Sequence, residues 1–373
     1  MDSSSELIHS LLPVFLVSTL GATVVTVGFI EGVAEATAAI LKVFSGALSD
    51  YFGKRKPLMI LGYGLAACTK PIFPLARSVG WVFGARFVDR VGKGIRGAPR
   101  DALVADITPP ESRGAAYGLR QGLDSVGAWV GPLLAVLFMG WFAGDMRKVM
   151  WIAVIPAILT VFVLLVSVRE PEQKTIGAKP KLRFSDAGRL PLRYWLVVLL
   201  GSFFTLARFS EAFLVLRAQS VGLAPQYVPV VMIIMNVVYA GLSWPAGAAA
   251  DRMGSRGLLL LGLIVLAAAD LVLARAKTPT VTFAGAALWG LHMALTQGLL
   301  SKLVADMSPT DLVGTGFGIF NLVTGVALLL ASLIAGSLWA RFGPSATFLG
   351  GAAFAAIAAV GLFGAARFRR SAR

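Results

Sequence analysis

The sequence predicts an all-α polytopic membrane protein with twelve transmembrane helices in two six-helix repeats. Of the 373 residues, 57% are hydrophobic and 14% are charged, which excludes an ordinary soluble domain. Apolar runs of about 20 residues, the length that spans a bilayer core, recur along the whole chain. Two polar motifs of the first half also return in the second half. Together these observations predict the fold class.

The apolar runs give the order of the helices. We expect α1 to α6 at residues 7–20, 24–49, 57–76, 80–106, 115–142 and 148–168, and α7 to α12 at 194–219, 226–250, 257–275, 280–306, 314–340 and 344–366. Helices are required because isolated β-strands cannot satisfy their backbone polar groups in lipid. The apolar run of α1 is shorter than that of α7 by about two turns. We therefore expect the true start of α1 to lie upstream of Met1.

A long polar interruption separates the two sets of six helices. We predict an N-terminal bundle over 1–168, a basic linker over 169–193 and a C-terminal bundle with a short basic tail over 194–373. Basic loops of membrane proteins stay in the cytoplasm. We therefore predict a multi-pass protein of the cell (inner) membrane with a cytoplasmic linker. Since the number of spans is even, both termini are predicted to be cytoplasmic too.

The net charge of +15 does not require a nucleic-acid partner, because many Lys and Arg residues lie in short loops as the positive-inside rule demands. The lone Cys68 excludes an intramolecular disulfide framework, and two histidines disfavour a His-rich metal site. Gly92-x-Gly94-x-x-Gly97 matches a dinucleotide pattern, but no strand precedes it, so we interpret these glycines as sites of close helix approach or of bending beside Pro99. We expect no enzyme activity, no cofactor and no metal.

Internal repetition supports the two halves. The segment Gly46-Ala-Leu-Ser-Asp50-Tyr-Phe-Gly53-Lys-Arg55 returns as Gly247-Ala-Ala-Ala-Asp251-Arg-Met-Gly254-Ser-Arg256, and Leu103-Val-Ala-Asp106 returns as Leu303-Val-Ala-Asp306. Two separate motifs at nearly one offset predict parallel repeats of six helices.

These motifs resemble those of the major facilitator superfamily over essentially the whole chain. Gly46, Asp50, Gly53 and Arg55 are similar to its loop signature after the second helix, and Gly247, Asp251, Gly254 and Arg256 are similar to the second copy. Arg90-x-x-Lys93-Gly94-x-Arg96-Gly97-Ala98 resembles its helix-4 motif, and Gly127-Ala-Trp-Val-Gly131-Pro132 resembles its helix-5 antiporter signature. The resemblance implies a twelve-helix transporter, and the helix-5 signature favours export as its direction.

A stripe of five basic residues on α4 is the main candidate for function. At 100° per residue, Arg86, Arg90, Lys93, Arg96 and Arg100 fall within roughly a third of the helix circumference. A charge that points into lipid costs several kcal/mol. The stripe must therefore face water, counter-charges or a ligand. The corresponding residues of α10 are uncharged, so cationic chemistry is predicted for the first half only.

Other charges are predicted to line a central cavity with this stripe. They are Glu31, Glu35 and Lys42 on α2, Arg120 and Asp124 on α5, and Arg208, Glu211 and Arg217 on α7. One interpretation is that they pair with the α4 stripe and hold the first bundle together. The other is that a carboxylate carries a proton while a cation binds substrate. We predict proton-coupling or substrate-cavity roles for Glu31, Glu35, Arg90, Lys93, Arg96, Asp124, Arg208 and Glu211, with Glu35 the favoured proton carrier.

A conformational gate is predicted at the ends of α2 and α8. Asp50 and Asp251 could meet the positive N-terminal end of a neighbouring helix and the arginine of their own loop, which would stabilise the outward-open state. Gly127, Gly131 and Pro132 are expected to let α5 pack closely against the second half. The gate residues are thus the two loop motifs together with these three.

The predicted function is secondary active transport by alternating access, with proton-coupled efflux of a small organic molecule or drug. Alternatives are an importer or facilitator of an anionic metabolite, which the basic stripe favours, and a metal or siderophore exporter. A non-transporting membrane receptor is a different class, and the doubled motifs argue against it. The predicted partners are a small-molecule substrate, protons and the lipid bilayer, without nucleic acid, and the protein is expected to be a monomer.

Overall fold

The structure is a computed structural model that describes residues 1–52, 54–109, 112–168, 170, 184–296, 299–309 and 312–370. In some helices the backbone alone is described; the side chains concerned are those of 47, 50–52, 105, 113–115, 117–118, 184–186, 244, 247–256, 301–302 and 364–370. Along the described part of the chain the secondary structure is helical and includes no strand.

The first bundle contains α1 to α6. α1 is Asp2–Val14 and continues as a π-helix, Phe15–Thr19; α2 is Val24–Phe52; α3 is Lys56–Thr69 followed by Ile72–Leu75; α4 is Val79–Ile107; α5 is Arg113–Trp141; and α6 is Met146–Ile152 followed by Val154–Ser167. A short 3-10 helix, Phe184–Arg189, precedes the second bundle.

The second bundle contains α7 to α12. α7 is Leu192–Ala207 and Ala212–Ser220; α8 and α9 are the parts before and after residue 250 of one helix, Val230–Arg275; α10 is Pro279–Thr296 and Leu299–Met307; α11 is Val313–Phe342; and α12 is Pro344–Arg370. The described residues include nine segments long and apolar enough to cross a membrane. α4 is not among these nine segments, because its charged stripe gives it too many charged residues and too low a mean hydropathy.

Three helix predictions are wrong in detail. α1 begins at Asp2 rather than near residue 7, since its polar first turn packs on α5 and α6 instead of facing lipid. α7 is interrupted at residues 208–211, where Arg208 leaves the helical conformation with φ −111° and ψ 79°. α8 and α9 have no loop between them in the backbone, although two apolar spans, Pro225–Ser243 and Gly257–Arg275, lie on either side of the junction.

The predicted repeat is visible in how side chains are buried. Residues 61–90 and 261–290 show the same sequence of buried, half-buried and exposed positions, except at 64, 71, 87 and 88 and their counterparts. Two stretches that share so much burial must occupy equivalent places in their bundles. The structure therefore agrees with two repeats of six helices.

The two bundles meet chiefly where α2 runs along α11. A Cβ at Gly325 would lie 3.4 Å from the Cβ of Ala39, and a Cβ at Gly336 would lie 3.0 Å from the Cα of Val25. The lack of a side chain at these positions lets the two helices approach closely. This contact places the charged faces of α1, α2 and α4 opposite α7 and α11, and so creates the cavity between the bundles.

Candidate functional site

A charged cavity lies between the bundles and consists of two adjoining chambers. The α5 chamber has a volume of about 440 Å³ and is lined by Lys42, Lys93, Arg96, Arg100, Gln121 and Asp124, among others. The α7 chamber has a volume of about 450 Å³ and is lined by His9, Arg90, Arg208, Glu211, Phe320 and Thr324, among others. Both chambers share Glu6, Glu35, Ala39, Lys93 and Leu328.

The cavity is closed at one end of the molecule. We call the end with the α2–α3 loop and Glu170 the linker end, and the other end the far end. At the far end Gln219 donates a hydrogen bond of 2.7 Å to Ser18, which joins α7 to α1, and Phe213 packs on Trp339. Toward the linker end the α5 chamber reaches Lys42, whose side chain is 54% exposed. The α5 chamber is therefore accessible to solvent toward the linker end.

The deepest charge pair joins α4 to α2. Arg86 donates a hydrogen bond of 2.7 Å to the Oε2 atom of Glu31, and the two residues are 2% and 1% exposed. The same oxygen lies 3.3 Å from Nε2 of His9, whose Nδ1 lies 3.4 Å from Glu6. This chain of titratable groups leads from the buried pair to the α7 chamber.

Arg90 and Glu35 form the next pair along the same two helices. Their side chains approach to 3.1 Å, and Glu35 also lies 3.8 Å from Arg86. Glu35 is 29% exposed in its side chain and lines both chambers. It is thus the carboxylate that connects the buried cations with the cavity.

Arg100, near the linker end of α4, pairs with α5. Both terminal nitrogens of Arg100 lie 3.2 Å from the carboxylate oxygens of Asp124, and Arg120 donates to Asp124 at 2.8 Å. Asp101 lies 3.5 Å from Arg120 and 3.9 Å from Lys42. The predicted pairing of the stripe with carboxylates of α2 and α5 is confirmed for Arg86, Arg90 and Arg100.

Two cations of the stripe differ from the other three. Within the described residues, neither Lys93 nor Arg96 has a carboxylate at ion-pair distance, and both line the α5 chamber. The guanidinium of Arg96 lies 4.6 Å from the centre of the Tyr63 ring. One of its terminal nitrogens is buried and has no described hydrogen-bond partner. These are the charges with which a ligand could interact.

One further pair in the first bundle was not among the predicted site residues. Lys70 on α3 donates to Asp89 on α4 at 2.8 Å and to Ser5 on α1 at 2.9 Å. Lys70 and Asp89 are 1% and 3% exposed. The presence of Lys70 in an otherwise apolar helix is the sequence signal that could have indicated this pair, because a lone charge in a membrane helix needs a partner.

The charges of α7 do not pair with the α4 stripe, contrary to one of the interpretations above. Arg208 lies 3.6 Å from Glu211, and both border the α7 chamber at the break of α7. Arg217 donates to the backbone carbonyls of Leu273 and Ala276 at 2.9 and 2.6 Å. Arg217 therefore ties α7 to the end of α9 and has no contact with the cavity.

The predicted gate is described in part. Gly53 lies outside the described residues, and so do the side chains of Asp50, Asp251 and Arg256; of Gly247 and Gly254 the backbone alone is described. Gly46 faces Ala98 of α4, where an added Cβ would lie 3.3 Å from the Ala98 Cβ. Arg55 pairs with Asp106 at 3.2 Å and donates to Ser49 at 2.6 Å. The loop motif of the first half is thus in contact with α2 and α4.

Glu170 also contacts this loop, and it was not among the predicted site residues. Its carboxylate accepts hydrogen bonds of 2.6 and 2.8 Å from the backbone N–H groups of Arg55 and Lys56, at the start of α3. A carboxylate at this position also interacts favourably with the helix dipole. An interaction of the kind predicted for a motif aspartate is therefore made here by a residue of the predicted linker.

The glycines of α5 pack on α1 and not on the second half, so that prediction is wrong. A Cβ at Gly131 would lie 2.7 Å from the backbone oxygen of Ser3, and a Cβ at Gly127 would lie 2.9 Å from Asp2. Pro132 continues the helix on the same stretch. α5 contacts the second half at Ala128, the residue directly after Gly127; the Ala128 carbonyl accepts a hydrogen bond of 3.2 Å from Asn236.

The described residues include no group of three or more His, Cys, Asp or Glu side chains arranged to hold a metal ion. Nδ1 of His292 donates a hydrogen bond of 2.8 Å to the Gly262 carbonyl, and the ring packs on Phe204, as in a packed, hydrogen-bonded histidine. The chemistry available in the cavity is therefore that of carboxylates, one histidine, ammonium and guanidinium groups.

An all-α membrane protein whose two repeats enclose a charged central cavity is a membrane transport protein by architecture. The chain belongs to the Major Facilitator Superfamily, whose family profile matches residues 2–234 and 200–373. An uncharacterized MFS-type transporter of Methanocaldococcus jannaschii is 33% identical over 365 residues, which cover 95% of this chain and 89% of that protein.

Two further comparisons are informative. The multidrug resistance protein MdtH of Photorhabdus laumondii is 30% identical over 144 residues, which cover 39% of this chain and 35% of that protein. The crystal structure of a POT family transporter in complex with a thioalcohol-conjugated peptide superposes with a TM-score of 0.79 at 12% identity, and covers 99% of this chain and 94% of that one. At that identity the likeness concerns the fold alone.

Proposed function

We propose that this protein is a secondary active transporter that works by alternating access and couples export of a small organic molecule to proton entry. The observation that carries the proposal is the position of Glu35. This carboxylate pairs with Arg90, faces both chambers and is linked through Arg86 to the buried Glu31. A titratable group that is shared by a buried ion-pair network and a ligand cavity can exchange a proton for a substrate.

The coupling step follows from the charges. Protonation of Glu35 removes the nearest counter-charge of Arg90 and leaves it with Asp89, which lies at 3.7 Å and is already paired with Lys70; a buried cation without a close partner is costly. The arginine must then turn to another partner, so that the protonated and deprotonated proteins favour different arrangements of α2 and α4. A proton shifts the conformational equilibrium only to the extent that it interacts differently with the two states, and this pair provides that difference.

The alternating states are proposed to differ at the α2–α11 contact. In the present state the far end is closed by this contact and by the hydrogen bond between Gln219 and Ser18. Opening of the far end requires these contacts to separate while the loop motifs around Asp50 and Asp251 close the linker end. With the linker in the cytoplasm of a cell whose inner membrane holds the protein, the present state faces inward. We propose that one such molecule is the working unit.

Export as the direction of transport has two supports. The sequence Gly127 to Pro132 resembles the antiporter signature, and a partial relative is named a multidrug resistance protein. An importer or facilitator of an anionic metabolite is the second candidate, because Lys93 and Arg96 have no carboxylate partner among the described residues. The direction of proton movement relative to substrate separates the two.

The proposal can be tested in proteoliposomes that contain a trapped pH dye. A substrate is first chosen as a compound that raises the melting midpoint of the purified protein, since a ligand that binds the folded state stabilises it. Addition of that substrate on one side should then drive protons in the opposite direction. Glu35→Gln should abolish the proton signal, Glu35→Asp should retain part of it, and Asp145→Asn, an exposed carboxylate outside the cavity, should leave it unchanged. Proton movement that persists in both Glu35→Gln and Glu31→Gln would refute the coupling.

A further inference from the structure

We infer that the ligand of this cavity is an organic anion, whose carboxylate binds between Lys93 and Arg96 in the α5 chamber. This inference rests on the proposed transport function and names the substrate class of the same cavity. It follows from the way in which the five cations of α4 are neutralised.

Three cations of the α4 stripe already have carboxylate partners. Arg86 binds Glu31 at 2.7 Å, Arg90 approaches Glu35 to 3.1 Å, and Arg100 approaches Asp124 to 3.2 Å. Lys93 and Arg96, which lie between Arg90 and Arg100 on the same face, have no such partner among the residues that the structure describes. The uncompensated positive charge is therefore concentrated at one place, and that place borders the cavity.

Arg96 is held in position for an anion. It is only 5% exposed, and its guanidinium lies 4.6 Å from the centre of the Tyr63 ring, which restricts the orientation of the guanidinium plane. One of its terminal nitrogens is buried without a described hydrogen-bond partner. Guanidinium groups bind carboxylates through two parallel hydrogen bonds, so a carboxylate in the chamber would satisfy this nitrogen.

Lys93 supplies the second charge. It lines both chambers and, unlike Arg96, is exposed to their interior. The backbone offset of three residues between Lys93 and Arg96 places their side chains on the same face of α4. A flexible ammonium next to a fixed guanidinium is an arrangement that recognises a single anionic group from two sides.

Most of the carboxylates that line the cavity are already engaged, which disfavours a cationic ligand. Glu6 lies 3.4 Å from His9, Glu35 pairs with Arg90, and Asp124 pairs with Arg100 and Arg120; Asp2 in the α5 chamber is the exception, a single carboxylate against two cations. A cation bound at Glu6, Glu35 or Asp124 would have to displace one of these partners, whereas an anion at Lys93 and Arg96 would displace none.

The rest of the ligand is expected to be apolar. The walls opposite α4 include Phe204, Phe209 and Phe320 in the α7 chamber and Tyr239 in the α5 chamber. Two chambers of about 440 and 450 Å³ that meet at Lys93 can hold a drug-sized molecule, with its acidic group at α4 and its hydrocarbon or aromatic part on the α7 and α11 side. The inferred class is thus an amphiphilic organic acid.

Binding to the purified full-length protein in detergent tests this inference directly. The probes are benzoate and 1-naphthoate, each compared with its matched primary amine (benzylamine, 1-naphthylmethylamine) and its matched neutral amide. Both carboxylates should raise the melting midpoint more than their amines and amides. Lys93→Gln and Arg96→Gln should each weaken carboxylate binding by about tenfold or more. Lys93→Arg should retain most of it, and Arg96→Lys should retain a part, because lysine keeps the charge but cannot make two parallel hydrogen bonds; Lys148→Gln, which removes a charge far from the cavity, should have no effect.

The result that would overturn the inference is a shift by the amines or amides that equals or exceeds that of the carboxylates. It would also be overturned if the carboxylate shift persisted in both Lys93→Gln and Arg96→Gln. Because Arg96→Gln could fail to fold, the charge-conserving variants provide an independent check. Binding does not depend on transport: carboxylate binding without proton movement in proteoliposomes would leave the substrate class standing and refute the coupling alone.

Discussion

Arg86 and Glu31 form a hydrogen-bonded ion pair of 2.7 Å at which both side chains are almost completely shielded from solvent. The pair joins α4 to α2 in the part of the first bundle that lies toward the far end. His9 approaches the same carboxylate from α1. Three helices are therefore held together by one carboxylate.

Removal of one partner of this pair should destabilise the protein strongly. Glu31→Gln leaves Arg86 as an uncompensated buried charge, which typically costs about 3–5 kcal/mol. The double variant Glu31→Gln/Arg86→Met removes both charges and should lose less than the sum of the two single variants. The measurement is the melting midpoint of each purified variant, with Lys148→Gln as control. Additive losses would mean that the two residues do not interact.

A side chain at Gly28 should open the far end. An added Cβ would overlap the backbone oxygen of Ser332 on α11 and lie 3.2 Å from Phe213, so Gly28→Ala should push α2 and α11 apart. A matched control is Gly84→Ala, because a Cβ at Gly84 meets nothing within 4 Å.

The readout is labelling of Ser332→Cys, a buried position of α11 that faces Gly28, by a membrane-impermeant maleimide, in a background where the exposed Cys68 is replaced by Ser. Gly28→Ala should increase the labelling rate relative to Gly84→Ala. Equal rates in the two variants would show that α2 and α11 do not close the far end.

Removal of the charge of Asp270 and removal of the charge of Asp89 should have different effects on the melting midpoint. Asp270 is fully buried in α9, and neither of its oxygens has a hydrogen-bond partner among the described residues. Asp270→Asn should therefore leave the melting midpoint unchanged or raise it. Asp89→Asn removes the partner of the buried Lys70 and should lower the midpoint by several degrees, since about 3–5 kcal/mol is at stake. Equal losses in both variants would indicate that Asp270 has an essential partner.

The start of α6 provides a test of pH dependence outside the membrane. Backbone N–H groups of Lys148 and Arg147 donate to the Asp145 carboxylate at 3.2 and 3.1 Å, and these hydrogen bonds, that of Lys148 first, hold the pKa of Asp145 below its usual value. A lowered pKa in the folded state adds stability above the unfolded pKa of about 3.9, and this stability is lost as the pH falls through the folded pKa.

Asp145→Ala should consequently lower the melting midpoint near neutral pH, with a cost of about 0.5–2 kcal/mol for the lost cap. The difference from wild type should shrink as the pH falls below about 4. Asp145→Asn, which still caps the helix, should show a smaller loss. A difference between Asp145→Ala and wild type that does not change with pH would contradict the role of the carboxylate charge.

The sequence was sufficient to predict the helices and several of their charge pairs. Apolar run length indicates where a helix crosses the membrane, and the spacing of Glu31 and Glu35 indicates that they share a face. A buried charge needs a counter-charge, which makes their pairing with Arg86 and Arg90 predictable. The division into domains and the functional roles of these residues stay predictions.

What could not be predicted depends on helix rotation and backbone conformation. Gly131 faces α1 rather than the second half because the azimuth of α5 is set by packing against its neighbours, which no single sequence pattern reports. Arg217 binds backbone carbonyls at the end of α9, and such acceptors are present in every residue and so leave no sequence signal. Glu170 belongs to a polar segment in which many charges look alike.

The two bundles differ in stiffness. The positions that hold the Lys70–Asp89 pair in the first half hold Asp270 and Trp289 in the second. The first is cross-braced by ion pairs between neighbouring helices. In the second, the pair Arg208–Glu211 lies at the break of α7 and does not join neighbouring helices. Breaking one buried ion pair costs about 3–5 kcal/mol, which is similar to the few kcal/mol that separate two conformations of a protein. The first bundle should therefore move as a rigid body. The conformational change within the second bundle should be concentrated at the interruption of α7.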